Sequence, residues 1–365
     1  MNLVIPFRLI AVSLCFLYLI LPLLFVASIR EVLALAPVAP SDLAVGATYS
    51  FCTFLIILLV PRIIVIRSDA LKMKRGVALA IAWLTIFLSA YFFTIPLREL
   101  DTLIYFDKIV AHTTYEDLNV KYGLRMKYNV LLCLFLVMSL KAGMRAWGAL
   151  FFVAPILFEV VFSKHNYATH LLIYLFLLAW NSRVSRKAVL ITFATVVGAL
   201  LAVRFIFYSD FQNDPMQSLG AMLGEFTISW QSIPVALSYS GGSFIGPTEW
   251  YSDIISNAAG LEIGLAGNPV AEAIFYLGDL AGLGVIGGAL LFVLSAFAAT
   301  RNVAAGIAML VVTFYMRDCF RTGWSLGLSV FAKSFVIFSL IVLGLTAIDF
   351  LGSRLSTNAP LPGRS

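Results

Sequence analysis

Long apolar runs separated by short polar breaks fill almost the whole of this chain, and within the runs apolar residues are continuous rather than alternating. Continuous runs of this length predict membrane-spanning helices, whereas a transmembrane β-barrel would show short alternating segments. The pattern places spans at about 9–29, 46–66, 77–97, 128–140, 146–163, 169–181, 188–208, 270–298, 303–316 and 326–348. Spans four to six fall near or below the roughly 17 residues needed to cross a bilayer. The expected fold is an all-α, polytopic helical membrane protein of about ten transmembrane helices. Residues 1–353 form one integral membrane domain, and 354–365 form a disordered cytoplasmic tail.

The charges in the breaks set the orientation. After span two, Arg62, Arg67, Lys72, Lys74 and Arg75 face the single acid Asp69. Lys141 with Arg145, Arg183 with Arg186 and Lys187, then Arg301, then Arg354 and Arg364 mark further basic stretches. Cytoplasmic loops carry the Lys/Arg excess, so these fall inside and both termini are expected there. The segments 30–45, 98–127, 163–170, 209–268 and 316–324 then fall outside. In the mixed-charge segment 98–127, Leu103, Phe106 and Val110 have helical spacing and predict a helix lying on the bilayer surface. Arg8 before an apolar run to Ser28, with Ala34, Leu35 and Ala36 following, has the outline of a signal peptide. The run is too long for that, and an uncleaved first span is expected.

The longest outside segment, between spans seven and eight, stands apart. No Lys or Arg occurs between Arg204 and Arg301, while Asp210, Asp214, Glu225, Glu249, Asp253 and Glu262 all lie in the loop. Most of the chain's polar chemistry sits in this loop. It is expected to form the working surface together with the short loop around Arg317.

Composition strengthens the membrane assignment: 61% of the 365 residues are hydrophobic and 12% charged, against roughly 25% charged in soluble domains. The net charge of +6 lies beside spans and signals orientation rather than a nucleic-acid partner. Cys15, Cys52 and Cys133 lie in apolar runs and Cys319 stands alone, without metal-site or disulfide spacing. No phosphate-binding glycine loop, dinucleotide fingerprint, HExxH or Gly-x-Ser-x-Gly occurs, which argues against an ATP-driven pump. No cofactor and no metal are expected. Gly278 with Gly282, and Gly284 with Gly288, have the spacing that permits close helix packing.

The remaining candidates are polar residues on the outer side. On a helical turn Arg317 and Arg321 point the same way, a pair suited to the oxygens of a pyrophosphate. The alternative is an anchor at headgroup level with Asp318 as local partner. Arg204 lies inside the outer end of span seven, facing either a cavity or the headgroups. His165 and His170 are either general bases or loop hydrogen-bonders. Glu249 and Asp253, beside Trp250 and Tyr251, suit either a sugar site or an interfacial aromatic belt. Glu272, just after Pro269, either favours the helix start or faces a central cavity.

The segment GLAGNPVAEAIFYLGDLAGLGVIGG, 264–288, resembles the signature of Wzy-type O-antigen and exopolysaccharide repeat-unit polymerases. Gly264, Asn268, Pro269, Ala271, Glu272, Ala273, Gly278 and Gly282 carry the likeness, and GGSFIGPTEWYSDI before them resembles that family's main loop. The resemblance implies a glycosyltransferase of the bacterial inner membrane. It would move a growing glycan from undecaprenyl pyrophosphate to a sugar hydroxyl of an incoming lipid-linked repeat, on the periplasmic face. Catalysis would fall to Glu272, Arg317 and Arg321. Substrate binding would fall to Arg204, Glu249, Trp250, Tyr251, Asp253, Asn268, Asp318 and His165. The partners implied are the lipid-linked oligosaccharides, membrane lipid and a chain-length regulator protein. Rival readings are an O-antigen ligase, a polysaccharide transporter or lipid flippase, and a structural scaffold. The first predicts Arg and His in the main loop. The second predicts inverted repeats and charges within the bundle.

Overall fold

The computed structural model describes residues 2–27, 30, 37–67, 73–98, 117–118, 121–144, 166–181, 185–195, 198, 226, 228–239 and 267–357. These residues are mostly helical. Among the described residues, five helices are long and apolar enough to cross a membrane: Phe7–Leu24, Pro40–Ile57, Arg75–Ile95, Pro269–Arg301 and Trp324–Ile348. A sixth arises if the bent pair Val303–Phe314 and Met316–Thr322 is one span. Their outward faces carry large apolar side chains such as Leu55, Phe87, Leu283, Leu294 and Leu340. That belt suits hydrocarbon and not water.

Prolines and glycines set where the helices start and stop. The first, α1 (Phe7–Cys15), tightens into a π-helical turn, Phe16–Ile20, and a 3-10 turn, Leu21–Leu24. Pro40 opens α2 (Pro40–Ile57), with Asp42 in its first turn, where the helix dipole favours an acid. One short pairing of strands departs from the otherwise helical fold. Span two does not continue to 66: Pro61 follows the end of α2, and Ile64–Arg67 is a strand, β2. It pairs antiparallel with β1 (Asn2–Ile5), Asn2 opposite Arg67 and Ile5 opposite Ile64. A β-branched run after a proline favours an extended chain over a helix.

Next come α3 (Arg75–Leu97) and α4 (Leu124–Ala142), which pack on each other. Arg75 Nε donates to the Ala142 carbonyl at 2.6 Å, joining the first residue of one to the last of the other. The predicted span 128–140 is thus longer than expected, and residues 124–127 belong to it rather than to the outer segment. Then follow α5 (Asn166–Trp180) and α6 (186–195). Past the end of α5, the Asn181 side chain accepts from Val4 N at 2.7 Å and donates to Val4 O at 2.9 Å, in the manner of a neighbouring strand. The span expected at 146–163 lies outside the described residues.

The long loop expected at 209–268 contains order where described. Ile228–Gln231 is a 3-10 turn and leads into α7 (Ser232–Tyr239); Trp230, Gln231 and Ile233 are fully buried. After α8 (Pro269–Leu277) the chain kinks at Gly278, whose φ of 52° and ψ of −118° break the helix, and resumes as α9 (Ala281–Arg301). Gly278 therefore marks a kink within the span. The packing expectation holds at Gly288, where an added methyl would overlap the Trp324 ring.

At the centre lies α10 (Val303–Phe314), with every residue from Ala304 to Phe314 buried. Its 12 residues rise only about 18 Å, short of the roughly 30 Å of hydrocarbon. The chain then bends by 63° into α11 (Met316–Thr322) and turns at Gly323 into α12 (Trp324–Thr357). The stretch 316–324 is thus a buried helical corner and not a polar loop, and it takes Cys319 into the core. α12 reaches four residues into the expected tail. Residues 358–365 lie outside the described residues.

Candidate functional site

The corner between α11 and α12 brings together Glu272, Arg317, Asp318 and Arg321. Asn268 is the N-cap of α8: its Oδ1 accepts from Val270 N at 2.9 Å and Ala271 N at 2.8 Å. Pro269 occupies the first helical position, where its missing N–H costs nothing. One turn on, Glu272 is buried, and its carboxylate leaves its own helix for α12. Ser325 N donates to Oε2 at 3.2 Å, and the Ser325 hydroxyl donates to Oε1. A carboxylate on the first-turn N–H groups of a helix gains from both the hydrogen bond and the dipole. Glu272 therefore caps the last helix rather than its own. Gly323 makes this possible: a side-chain methyl there would overlap both carboxylate oxygens.

Arg317 and Arg321 share the single short helix α11, which packs against α8 and α12. Their four-residue spacing puts both on one face. Arg317 is 4% exposed, which excludes a snorkelling anchor at the headgroups. Its Nε donates to the Tyr18 hydroxyl at 3.2 Å and its Nη1 to Asp318 Oδ1 at 3.3 Å. Asp318 is buried beside it, so the pair holds its geometry away from water. Arg321 is half-buried.

Tyr18 comes from the π-helical turn, and its ring meets Phe226 edge-on at 5.3 Å. The stretch after Phe226 gathers further polar contacts. Arg30, 8% exposed, donates from Nη1 to Gln231 Oε1 at 3.4 Å. Asn268 Nδ2 donates to the Ser229 carbonyl at 2.8 Å, and Trp230 Nε1 to Ser50 Oγ at 3.3 Å. Residues 226 and 228–231 thus tie the π-helical turn, α2 and the start of α8 together beside the arginine-bearing corner.

Of the residues singled out in the sequence, Glu272, Arg317, Asp318 and Arg321 come together here. Asn268 has a different part from the sugar contact expected. It is fully buried, with its oxygen on α8 and its amide on Ser229, so it joins two segments. Arg204, Glu249, Trp250, Tyr251, Asp253 and His165 lie outside the described residues. Sequence reasoning missed Tyr18, Arg30, Gln231, Gly323 and Ser325. Arg30 had a readable signal: it is a cation at the outer end of a span, the same oddity that drew attention to Arg317. Tyr18 and Ser325 had none, because single hydroxyls in apolar runs are common.

Among the described residues no three His, Cys, Asp or Glu side chains are grouped to hold a metal ion. The described charges of the corner and its neighbours are the cations Arg30, Arg317 and Arg321 and the acids Asp318 and Glu272. Such a set offers fixed guanidinium groups to an anion in a low-dielectric setting, where each contact is stronger than in water. No family model, curated protein or solved structure matches the chain.

Proposed function

We propose that the chain polymerises lipid-linked oligosaccharide repeat units on the outer face of the bacterial inner membrane. One observation carries the proposal. Glu272, from the segment resembling the polymerase signature, is bonded to Ser325 at the end of the corner that bears Arg317 and Arg321. Motif and arginine pair thus belong to one place.

In this reaction the anomeric carbon–oxygen bond to undecaprenyl pyrophosphate breaks, and a hydroxyl oxygen of the incoming repeat takes its place. The hydroxyl proton passes to a base, and the lipid pyrophosphate leaves. The leaving group is already good, so positioning and charge stabilisation are what the protein adds. Arg317, held by Tyr18 and Asp318, and Arg321 stabilise the departing pyrophosphate. Glu272 has both oxygens on Ser325, and it acts as a positioning residue that fixes α8 to the corner. The arrangement of about ten spans, with both termini cytoplasmic and a periplasmic main loop, belongs to the same proposal. It rests on the Lys/Arg asymmetry.

A transporter or flippase is the second reading. The 63° bend between α10 and α11 and the buried charges favour it, since broken helices with polar contacts within the bundle suit transport. Surface polysaccharide from a deletion strain separates the readings. Loss of long chains with single capped repeats retained supports the polymerase. Loss of every capped form points to a ligase or flippase.

A further inference from the structure

The end of α3 opposite Arg75 and the start of α4 enclose a pocket. The 23 residues of α3 rise about 34 Å, slightly more than the hydrocarbon layer. Arg98 follows at once and therefore stands at headgroup level. Lys127, in the first turn of α4, meets it there, where the helix dipole adds to its charge. Tyr91, Phe92, Thr94, Ile95, Leu118 and Tyr122 form the rest of the wall, around a volume of about 220 Å³. Pockets that enclose a whole small molecule measure roughly 300–1,000 Å³, so this one fits a headgroup and not a lipid tail. Lys127 Nζ lies 5.0 Å from the centre of the Phe92 ring, which holds the ammonium against the wall.

Both charged lining residues among those described are cations. They stand at the far end of α3 from Arg75, on the face where the orientation rule predicts few cations. Snorkelling explains single cations at an interface, but not two that line one aromatic-walled pocket. Tyr91, which lines the pocket, and Phe87, one turn away on α3, are both exposed, so an amphiphile can place its head inside and lay its chains along α3.

We propose that this pocket binds the phosphodiester of an anionic phospholipid. The Arg98 fork takes two phosphate oxygens and the Lys127 ammonium a third contact, while the aromatic wall covers the glycerol. The site is separate from the α8–α12 corner and holds whether or not that corner is a polymerase site.

The test is native mass spectrometry of the full chain in detergent, titrated with phosphatidylglycerol and, separately, with phosphatidylcholine of the same acyl chains. Phosphatidylglycerol is expected to bind more tightly. Arg98→Gln and Lys127→Gln should each weaken it about fivefold, and together roughly 25-fold, at the usual worth of a cation near an anionic lipid. Phosphatidylcholine carries the same phosphodiester, but its trimethylammonium is repelled by both cations, so it should bind more weakly and lose less affinity in the glutamine variants. Both side chains are exposed, and the charge-preserving double variant Arg98→Lys with Lys127→Arg should keep most of the affinity, which guards against misfolding as the cause. Equal affinity for the two lipids, or an unchanged phosphatidylglycerol affinity in the double glutamine variant, overturns the proposal. Displacement of phosphatidylglycerol by millimolar inorganic phosphate would make it a site for free phosphate and also overturns it.

Discussion

The Glu272 carboxylate occupies the space that a side chain on Gly323 would need. Glu272 belongs to α8 and Gly323 to the turn between α11 and α12, and their contact fixes how α8 meets that corner. Gly323→Ala is therefore expected to push Glu272 off Ser325. Overpacking of this kind costs about 1–3 kcal/mol. The variant should melt earlier and make shorter polymer per folded molecule. Glu272→Asp, with its shorter side chain, should recover part of both losses in the double variant. Additive losses in the double variant would mean that the two positions do not act through one contact.

Tyr18→Phe keeps the ring against Phe226 and removes only the oxygen that accepts from Arg317. Losing one hydrogen bond to a charged group costs about 1.5–3 kcal/mol. If Tyr18 orients the guanidinium for the leaving group, turnover should fall by about 10- to 150-fold. Substrate KM should change little. A wild-type turnover number would detach Tyr18 from the site.

Much of this architecture was legible in the sequence. Continuous apolar runs gave the long helices, and the Asn268–Pro269 pair marked the start of α8. Other parts were hidden because hydropathy does not distinguish secondary structures. Ile64, Val65 and Ile66 score as a helical span, yet they form a strand, and Pro61 was the clue. The charges of Met316–Thr322 made a buried corner look like a loop. The span at 303–316 was already short for a crossing, but nothing local shows where the chain bends. The Glu272–Ser325 contact joins residues 53 apart, a distance at which a single sequence carries no pairing signal.

Asn181→Leu separates fold from function. The amide of Asn181 satisfies both backbone groups of Val4, so its loss should destabilise the β1–β2 pair by about 1–3 kcal/mol. Thermal unfolding should shift down, while polymer length per folded protein stays unchanged. A specific loss of activity at unchanged stability would show that this end of the bundle takes part in the reaction.

Orientation is checked by accessibility. Arg8, Arg62, Arg67, Arg75, Lys141 and Arg301 stand at helix and strand ends near the β1–β2 pair, and that end should face the cytoplasm. A membrane-impermeant thiol reagent added to intact spheroplasts should miss a single cysteine placed at Lys74 in a cysteine-free background. It should label one placed at Ser41, at the start of α2. The reverse pattern would put the arginine corner on the wrong side for a periplasmic substrate.

The most direct measurement is polymerisation in vitro by purified protein from lipid-linked repeat units, comparing wild type with Arg317→Lys and Arg321→Lys. Lysine keeps the charge but cannot form the two-pronged contact to phosphate oxygens. In place of Arg317 it also cannot reach Tyr18 and Asp318 in the same way. Loss of a transition-state contact of about 2–4 kcal/mol predicts rates lower by roughly 30- to 1,000-fold at equal amounts of folded protein. Wild-type rates in both lysine variants would contradict the assignment of this corner as the site of pyrophosphate release.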